Sequence, residues 1–116
     1  MTGHKIFDNA IKLLGYTDSF GEIDDSTGLK ARATAVINRI LADLNINISI
    51  NKLSDEILIS KEAEDALIYG TAMLLALSDN DGGKNKLFAE IYNGKRSLVK
   101  GNKSFISDNL PVVSEV

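Results

Sequence analysis

The chain has 116 residues, 44% of them hydrophobic and 25% charged, which is enough for one domain with its own core and too little for two. Cysteine is absent, which excludes disulfides, thiolate metal sites and cysteine nucleophiles. The net charge of −3 is unlike the strongly basic balance of a dedicated nucleic-acid-binding protein.

The first helix is predicted from apolar residues spaced three, four and seven apart, which form a stripe along one helical face. The stripe consists of Ile6, Phe7, Ala10, Ile11, Leu13 and Leu14. Gly15 is expected to end this helix in the left-handed conformation. The polar stretch 16–27 predicts a loop in which Ser26 or Thr27 caps the next helix. Charges within the first segment and the lack of a cleavage site argue against a secretory signal, so we expect a cytosolic protein.

The second helix has the most regular pattern of the chain, with apolar positions in a three–four rhythm over about four turns. These positions are Leu29, Ala33, Val36, Ile37, Ile40, Leu41 and Leu44. The opposite face is predicted to be solvated and carries Lys30, Arg32, Asn38, Arg39 and Asp43.

Residues 45–60 have a different pattern, because Ile46, Ile48 and Ile50 alternate with polar residues at the two-residue period of an extended backbone. This pattern predicts a short strand or an ordered, extended loop. An isolated strand leaves backbone polar groups unpaired, so a strand here would need a second segment. The carboxyl-terminal tail is one candidate for that segment.

Two further helices are predicted to form an antiparallel hairpin around the short turn DNDGG. Ser60 is expected to cap the first of them, whose apolar residues between Ala66 and Leu77 cover nearly all sides, as in a central helix. Its small residues Ala63, Ala66 and Gly70 would let another helix approach closely. The last helix is expected to bury Leu87, Phe88, Ile91, Tyr92, Leu98 and Val99.

The helical rhythm ends at Gly101, and the tail that follows is rich in large apolar residues and contains the only proline, Pro111. Such a tail is expected either to fold back on the bundle or to bind a partner. The predicted fold is therefore all-α. It is a small bundle of about four helices (1–103) with an extended loop at about 45–60 and an extended carboxyl-terminal tail (104–116).

Motifs for catalysis and cofactor binding are lacking in the sequence. His4 is the only histidine, and neither GxGxxG nor GxxxxGK[ST] occurs. The stretch "SDNDGGKNKLFAE" places Asp79, Asp81 and Glu90 at positions one, three and twelve of a calcium loop. However, Gly83 replaces an oxygen ligand and Lys84 replaces the turn glycine. We therefore expect no enzyme activity, cofactor or metal, and interpret this stretch as a helix-hairpin turn.

The charges are unevenly distributed along the chain. Between Gly82 and Lys103 the local balance is +5, which leaves −8 for the remainder. The basic residues of this region are Lys84, Lys86, Lys95, Arg96, Lys100 and Lys103. Two interpretations stay open, a solvated helix surface or one half of a charge-complementary contact between neighbouring copies.

Most of the chain is covered by four stretches, "AIKLLGYTD", "RATAVINRILADL", "ALIYGTAMLLALSDNDGGKNKLFAEIYNGKRS" and "ISDNLPV". The third is the most specific, since it joins a glycine-containing apolar helix, an acidic-glycine turn and an aromatic-basic helix ending in "YNGKR". In these stretches and their order the sequence resembles the small helical head-to-tail connector (adaptor) proteins of tailed bacteriophages and prophages.

The resemblance implies a structural virion protein whose subunits form a ring under the portal and link the capsid to the tail. Its partners would be other copies of itself, the portal protein and a tail or stopper protein, with weak contact to passing DNA and none to a membrane. It would lie at the head–tail junction of the virion, after assembly in the host bacterial cytoplasm.

The resemblance also implies which residues meet partners. The tail segment that reaches a neighbouring virion protein would contain Phe105, Ile106, Asp108, Leu110 and Pro111. The acidic front half would meet the basic fourth helix of the adjacent copy, in a charge patch made of Asp24, Asp25, Lys84, Lys95 and Arg96. A ring agrees with this arrangement, because it needs two different complementary patches on each subunit.

Two functions of other classes stay open. The first is a small helical DNA-binding or regulatory module that uses the basic fourth helix on phosphates. Binding to duplex DNA that weakens steeply with added salt would favour it, whereas the overall acidity of the chain argues against it. The second, a metal-dependent enzyme, depends on the imperfect calcium-like stretch alone.

Overall fold

The structure, a computed structural model, describes residues 1–16 and 28–108, with side chains described as far as Gly101. These residues form four α-helices, α1 (Gly3–Leu14), α2 (Leu29–Asp43), α3 (Lys61–Ser78) and α4 (Gly82–Asp108). The predicted all-α bundle is confirmed. Among the described residues, no helix combines the length and the apolar character needed to cross a membrane.

The central helix is α3, which packs against α1, α2 and α4. Gly70 is the point of closest approach, because a Cβ atom there would lie 2.7 Å from Cγ2 of Ile40 on α2. The same Cβ would lie 2.8 Å from Cε1 of Tyr92 on α4. Only glycine therefore lets both helices reach α3 at this level, and the predicted close approach along the small-residue strip is confirmed.

The helix ends agree with two of the three predicted signals. Gly15 ends α1 in the left-handed conformation with φ at 77°, and the Ser60 hydroxyl accepts a hydrogen bond from the Ala63 amide at 3.2 Å. The N-cap of α2 is different, since Gly28 occupies it without a side-chain hydrogen bond. The predicted caps Ser26 and Thr27 lie outside the described residues.

The segment between α2 and α3 is an ordered, extended loop without a regular strand. The predicted alternation is present, with Ile50 buried, Ile46 and Ile48 half-buried, and the intervening polar residues exposed. Asn38 on α2 holds this loop with both groups of its side-chain amide. Its Nδ2 donates to the Ile50 carbonyl at 2.8 Å, and its Oδ1 accepts from the Ile50 amide at 2.8 Å.

The second half of this loop pairs with the start of the chain. Thr2 and Glu56 form an isolated antiparallel bridge, and the His4 amide donates to the Leu53 carbonyl at 2.9 Å. The tail was one predicted partner for the extended segment, but in the described part of the chain the partner is the segment that precedes α1. This pairing anchors α1 beside the loop and buries Leu53 and Ile57.

Four leucines that the helical patterns assign to the core are exposed instead. Leu13 is 41% exposed, Leu77 59%, Leu87 53% and Leu98 66%. For α4 the reason is geometric, because this helix contacts the bundle mainly through α3 and therefore buries one narrow line of residues. That line holds Phe88, Tyr92 and Val99, and at about 100° per residue Leu87 and Leu98 lie to one side of it.

The backbone of α4 continues beyond the predicted end of the helical rhythm. The helical rhythm was predicted to end at Gly101 and the extended tail to span 104–116, but the helix runs to Asp108. A glycine inside a helix costs only about 1 kcal/mol, which does not stop a helix that is already formed, and proline first occurs at position 111. With 27 residues against the 18 of its antiparallel partner α3, α4 projects about 13 Å beyond it.

Candidate functional site

A surface groove lies over α3, bounded by α2 on one side and α4 on the other. Its volume is about 560 Å³. The floor is apolar and is formed by Ile40, Met73, Leu74 and the ring of Tyr92. A smaller part of about 240 Å³ continues past Leu77 at the end of α3. We refer to both parts together as the α2–α4 groove.

A polar cluster at one wall of the groove joins the end of α2 to α4. The Tyr92 hydroxyl donates to Oδ2 of Asp43 at 2.6 Å, and Nε of Arg96 donates to the same oxygen at 2.8 Å. Tyr92 and Arg96 are four residues apart and therefore lie on neighbouring positions of one helical face. The cluster thus fixes the width of the groove between α2 and α4.

The cluster shifts the pKa values of its members in opposite directions. The hydrogen bond from Tyr92 is the main cause that lowers the pKa of Asp43, and the nearby charge and hydrogen bond of Arg96 lower it further. Burial is the main cause that raises the pKa of Tyr92, and the hydrogen bond to Asp43 adds to it. At neutral pH Asp43 is therefore an anion and Tyr92 remains a hydrogen-bond donor.

Two arginines lie at the groove and are not fully used inside the chain. Arg39 lines the groove from α2, is exposed, and forms no ion pair with any described residue. Arg96 uses Nε for Asp43, and its terminal nitrogens make no hydrogen bond within the described residues. The groove therefore combines an apolar floor with unsatisfied cationic donors at its edge. Such a surface suits a segment that brings both apolar side chains and a carboxylate.

The basic residues predicted for an inter-subunit charge patch have partners within the chain. Nζ of Lys84 donates to the Leu14 carbonyl at 2.5 Å and lies 4.8 Å from the centre of the Tyr16 ring. Lys95 forms an ion pair with Asp65 on α3, and Arg96 pairs with Asp43. These three charges thus stabilise the bundle itself, which leaves Lys86 and Lys100 as the less engaged basic side chains of α4.

The other predicted site residues lie partly or wholly outside the described residues. Asp24 and Asp25 lie outside the described residues. The backbone of Phe105, Ile106 and Asp108 belongs to the projecting end of α4, but their side chains are outside the description. Leu110 and Pro111 lie outside it entirely. The tail contact and the acidic half of the charge patch therefore stay predictions.

The calcium-like stretch forms the turn between α3 and α4, as predicted. The carboxylate of Asp81 accepts the Lys84 amide at 3.2 Å and thereby caps α4. Its second oxygen accepts the Tyr16 hydroxyl at 2.9 Å, and burial together with this bond raises the pKa of Tyr16 to about 12. Within ranges 1–16 and 28–108, no three acidic or histidine residues are grouped closely enough to hold a metal ion.

Sequence reasoning missed the role of three polar residues on α2. Asn38, Arg39 and Asp43 were assigned together to a solvated face, but the first holds a loop, the second lines the groove and the third joins α4. The helical period places them correctly on the outer side of the bundle core. It carries no information about which other segment comes to lie beside them.

Comparisons with known proteins return no similarity for this chain. No protein-family model, no curated protein and no solved structure matches it.

Proposed function

We propose that this protein is a structural subunit of a head-to-tail connector, which assembles into a ring under a phage portal and links the capsid to the tail. The proposal starts from the four stretches that resemble this family and is supported by the surface of the folded chain. The helices provide a rigid body, and the features that are available for contacts lie on different sides of it.

The observation that carries the proposal is the pair of unlike surfaces on α4. One side of this helix borders the α2–α4 groove through Ala89, Asn93 and Arg96. The other side presents Leu87 and Leu98, which are exposed although they are large and apolar. Leu87 and Leu98 are eleven positions apart, which places them on the same face of the helix, and exposed apolar side chains that share a face favour a contact surface. Two unlike surfaces on one subunit are what a head-to-tail contact requires, since a symmetric dimer uses the same surface twice.

The projecting end of α4 adds a third feature to this proposal. A helix end that extends about 13 Å past its packing partner has no neighbour from α3 along that length. The sequence that follows it contains Leu110, Val112 and Val113, whose burial would stabilise a contact with another protein. Such an arm supports the connector role, because each subunit has to contact neighbouring proteins on more than one side.

The proposal is tested by mixing the chain with the portal protein encoded in the same genome and imaging the product by electron microscopy. We expect an additional ring of density under the portal. A matched pair of variants tests the surface, since Leu98→Asp should weaken the ring and Ser97→Asp, on the adjacent exposed position, should not. A portal that remains bare at high concentrations of the folded chain would contradict the proposal.

A further inference from the structure

The α2–α4 groove and the sequence that follows α4 have complementary chemistry. We propose that the α2–α4 groove of one copy binds the segment Leu110–Glu115 of a second copy. This contact would supply the link between neighbouring subunits of the proposed connector. It rests on the proposed function in one respect only, the closure of successive contacts into a ring. The contact itself depends on the chemistry of the groove, the composition of the segment and the reach of the chain.

The groove defines the chemistry of its occupant. Its apolar floor over Met73 and Leu74 stays in contact with water unless another apolar group covers it. Arg39 and the terminal nitrogens of Arg96 offer charged hydrogen-bond donors that no described residue accepts. The occupant should therefore carry apolar side chains within a few residues of a carboxylate.

The sequence after α4 contains such a segment. Leu110, Val112 and Val113 supply the apolar side chains, and Glu115 supplies the carboxylate. Pro111 restricts its own backbone and that of its neighbour to extended conformations, which reduces the entropy lost on binding in a groove. From Leu110 to Glu115 an extended chain covers about 17 Å. The groove extends over Ala35 to Asp43 on α2, which is about 12 Å, so it holds about four residues of the segment, with Val112 and Val113 over the floor and Glu115 at the arginines.

The reach of the chain decides between binding within one copy and binding between copies. The helix runs for a further twelve residues from Arg96 at the groove to Asp108, which is about 18 Å. If the chain turned back at Asp108, Leu110 could lie at most about 7 Å back toward the groove, because it is only two residues further along. Val113 could lie at most about 17 Å back. Neither can reach Ile40 or Leu74 in its own copy. The apolar part of the segment therefore fits only the groove of another copy.

The resulting contact is directional, because the groove and the segment are different surfaces. Each copy offers one groove and one segment, so copies add head to tail. They then form a closed ring if the rotation between neighbours permits it and a filament if it does not. The interface also explains why Arg39 has no ion pair with any residue that the structure describes.

The test uses the absence of native cysteine. Two single variants of the full chain, Ala42→Cys in the groove and Val113→Cys in the segment, are mixed and treated with a short bifunctional maleimide. Because each copy carries one thiol, a covalent product that contains both variants reports a contact between copies. We expect this heterodimer at high protein concentration. As the matched control, Ser97→Cys on the outer face of α4 should give at least tenfold less product with Val113→Cys.

Charge reversal tests the role of the arginine. Adding Arg39→Glu to the groove variant should lower the yield about tenfold, and adding Glu115→Arg to the segment variant should restore it. Lys5→Glu, an exposed charge change on α1, which does not line the groove, should leave the yield unchanged. Equal losses for Arg39→Glu and Lys5→Glu would overturn the specific contact.

The same cross-linking in the presence of the portal separates this inference from the proposed function. Heterodimers without any binding to the portal would support the contact and contradict the connector role. Assemblies on the portal that give no more heterodimer than the Ser97→Cys control would support the connector role and overturn the contact. An absence of heterodimer both in concentrated free protein and on the portal also overturns it.

Discussion

At the residue scale, a few polar side chains decide how the helices of this protein are spaced. Asp43 is the clearest case, because a single carboxylate oxygen accepts hydrogen bonds from both Tyr92 and Arg96. Hydrogen bonds to a charged group are stronger than those between neutral groups. Asp43 therefore joins the end of α2 to the middle of α4, two helices that otherwise meet across α3.

Removing the hydroxyl of Tyr92 should weaken this junction in a pH-dependent manner. We expect Tyr92→Phe to lower the free energy of unfolding by about 1–2 kcal/mol at pH 7. The loss of unfolding free energy should lie at the lower end of this range, because the Asp43 side chain is 43% exposed and solvent screens its interactions. Since the Tyr92 bond lowers the pKa of Asp43 in the folded state, its contribution is present above the unfolded pKa near 4 and is lost as the pH falls through the folded value.

Urea unfolding of the parent and of Tyr92→Phe at pH 7 and at pH 3 measures this effect. We expect the difference in unfolding free energy between the two proteins to narrow at the lower pH. An equal difference at both values would mean that the charge of Asp43 does not contribute. Tyr69→Phe is the control, since no hydrogen bond of its hydroxyl occurs within the described residues.

Gly70 leads to a second prediction at this scale. An alanine in its place would favour the helical backbone but would collide with neighbouring side chains, and these two effects can be separated. Replacing a helical glycine by alanine stabilises a helix by about 1 kcal/mol when nothing opposes the new methyl group. At Gly70 that methyl would lie within 3 Å of Ile40 and Tyr92, so Gly70→Ala should destabilise the protein by about 1–3 kcal/mol. At Gly94 no atom lies within 4 Å, and Gly94→Ala should stabilise it. Thermal unfolding shows whether each variant is less or more stable than the parent. A stabilising Gly70→Ala would contradict the close packing of the three helices.

At the element scale, the extended loop between α2 and α3 depends on α2 for its order. Its isoleucines alternate as in a strand, but no strand among the residues that the structure describes pairs with it at Ile50. Asn38 takes the place of that strand, since its amide satisfies both the N–H and the carbonyl group of Ile50. The loop therefore behaves as a part of the bundle, with Ile50 and Ile57 in the core.

We expect Asn38→Ala to release this loop locally. Two buried backbone groups would lose their partners, which costs about 1–3 kcal/mol for each group that water cannot reach. Amide hydrogen exchange at Ile50 should become faster by at least tenfold, while exchange in the middle of α3 should change less. Asn47→Ala, at an exposed position of the same loop, is the control. Unchanged exchange at Ile50 would show that the asparagine is not what holds the loop.

At the scale of the whole molecule, the distribution of charge matters more than the net value. The basic character of α4 is partly used within the bundle, because Lys84, Lys95 and Arg96 all have partners on other elements. These pairs hold α4 against α1, α2 and α3. The folded surface of α4 therefore carries fewer unpaired basic side chains than the sequence of the helix suggests.

This reduction makes a prediction for the alternative function in DNA binding. Each phosphate that a protein neutralises adds about −0.9 to the slope of log K against log salt concentration. With mainly Lys86 and Lys100 available among the described residues of α4, we expect duplex binding that is weak and has a slope of about −2 or shallower. Fluorescence anisotropy with a labelled duplex at several salt concentrations measures it. A slope near −5, equal to all the basic side chains of the helix, would favour the DNA-binding module.

The sequence by itself determined the number, order and type of the elements. Apolar spacing along a helix depends only on its own period, so α1, α2 and α3 begin and end close to where Gly15, Ser60 and the hydrophobic stripes indicate. The hairpin of α3 and α4 and the requirement for a small residue at Gly70 follow in the same way from local chemistry. The alternating isoleucines likewise predict an extended loop before its neighbours are known.

Tertiary structure alone decided which faces are covered and which polar groups meet. Leu87 and Leu98 belong to a helical stripe, but among the described residues α4 packs mainly on α3, and α3 does not cover these two leucines. Asp43 and Tyr92 are 49 positions apart, and no periodicity of either helix records their contact. The groove exists because α2 and α4 both rest on Gly70 from different sides. Burial and pairing between distant segments depend on the relative placement of whole helices, which a local pattern does not contain.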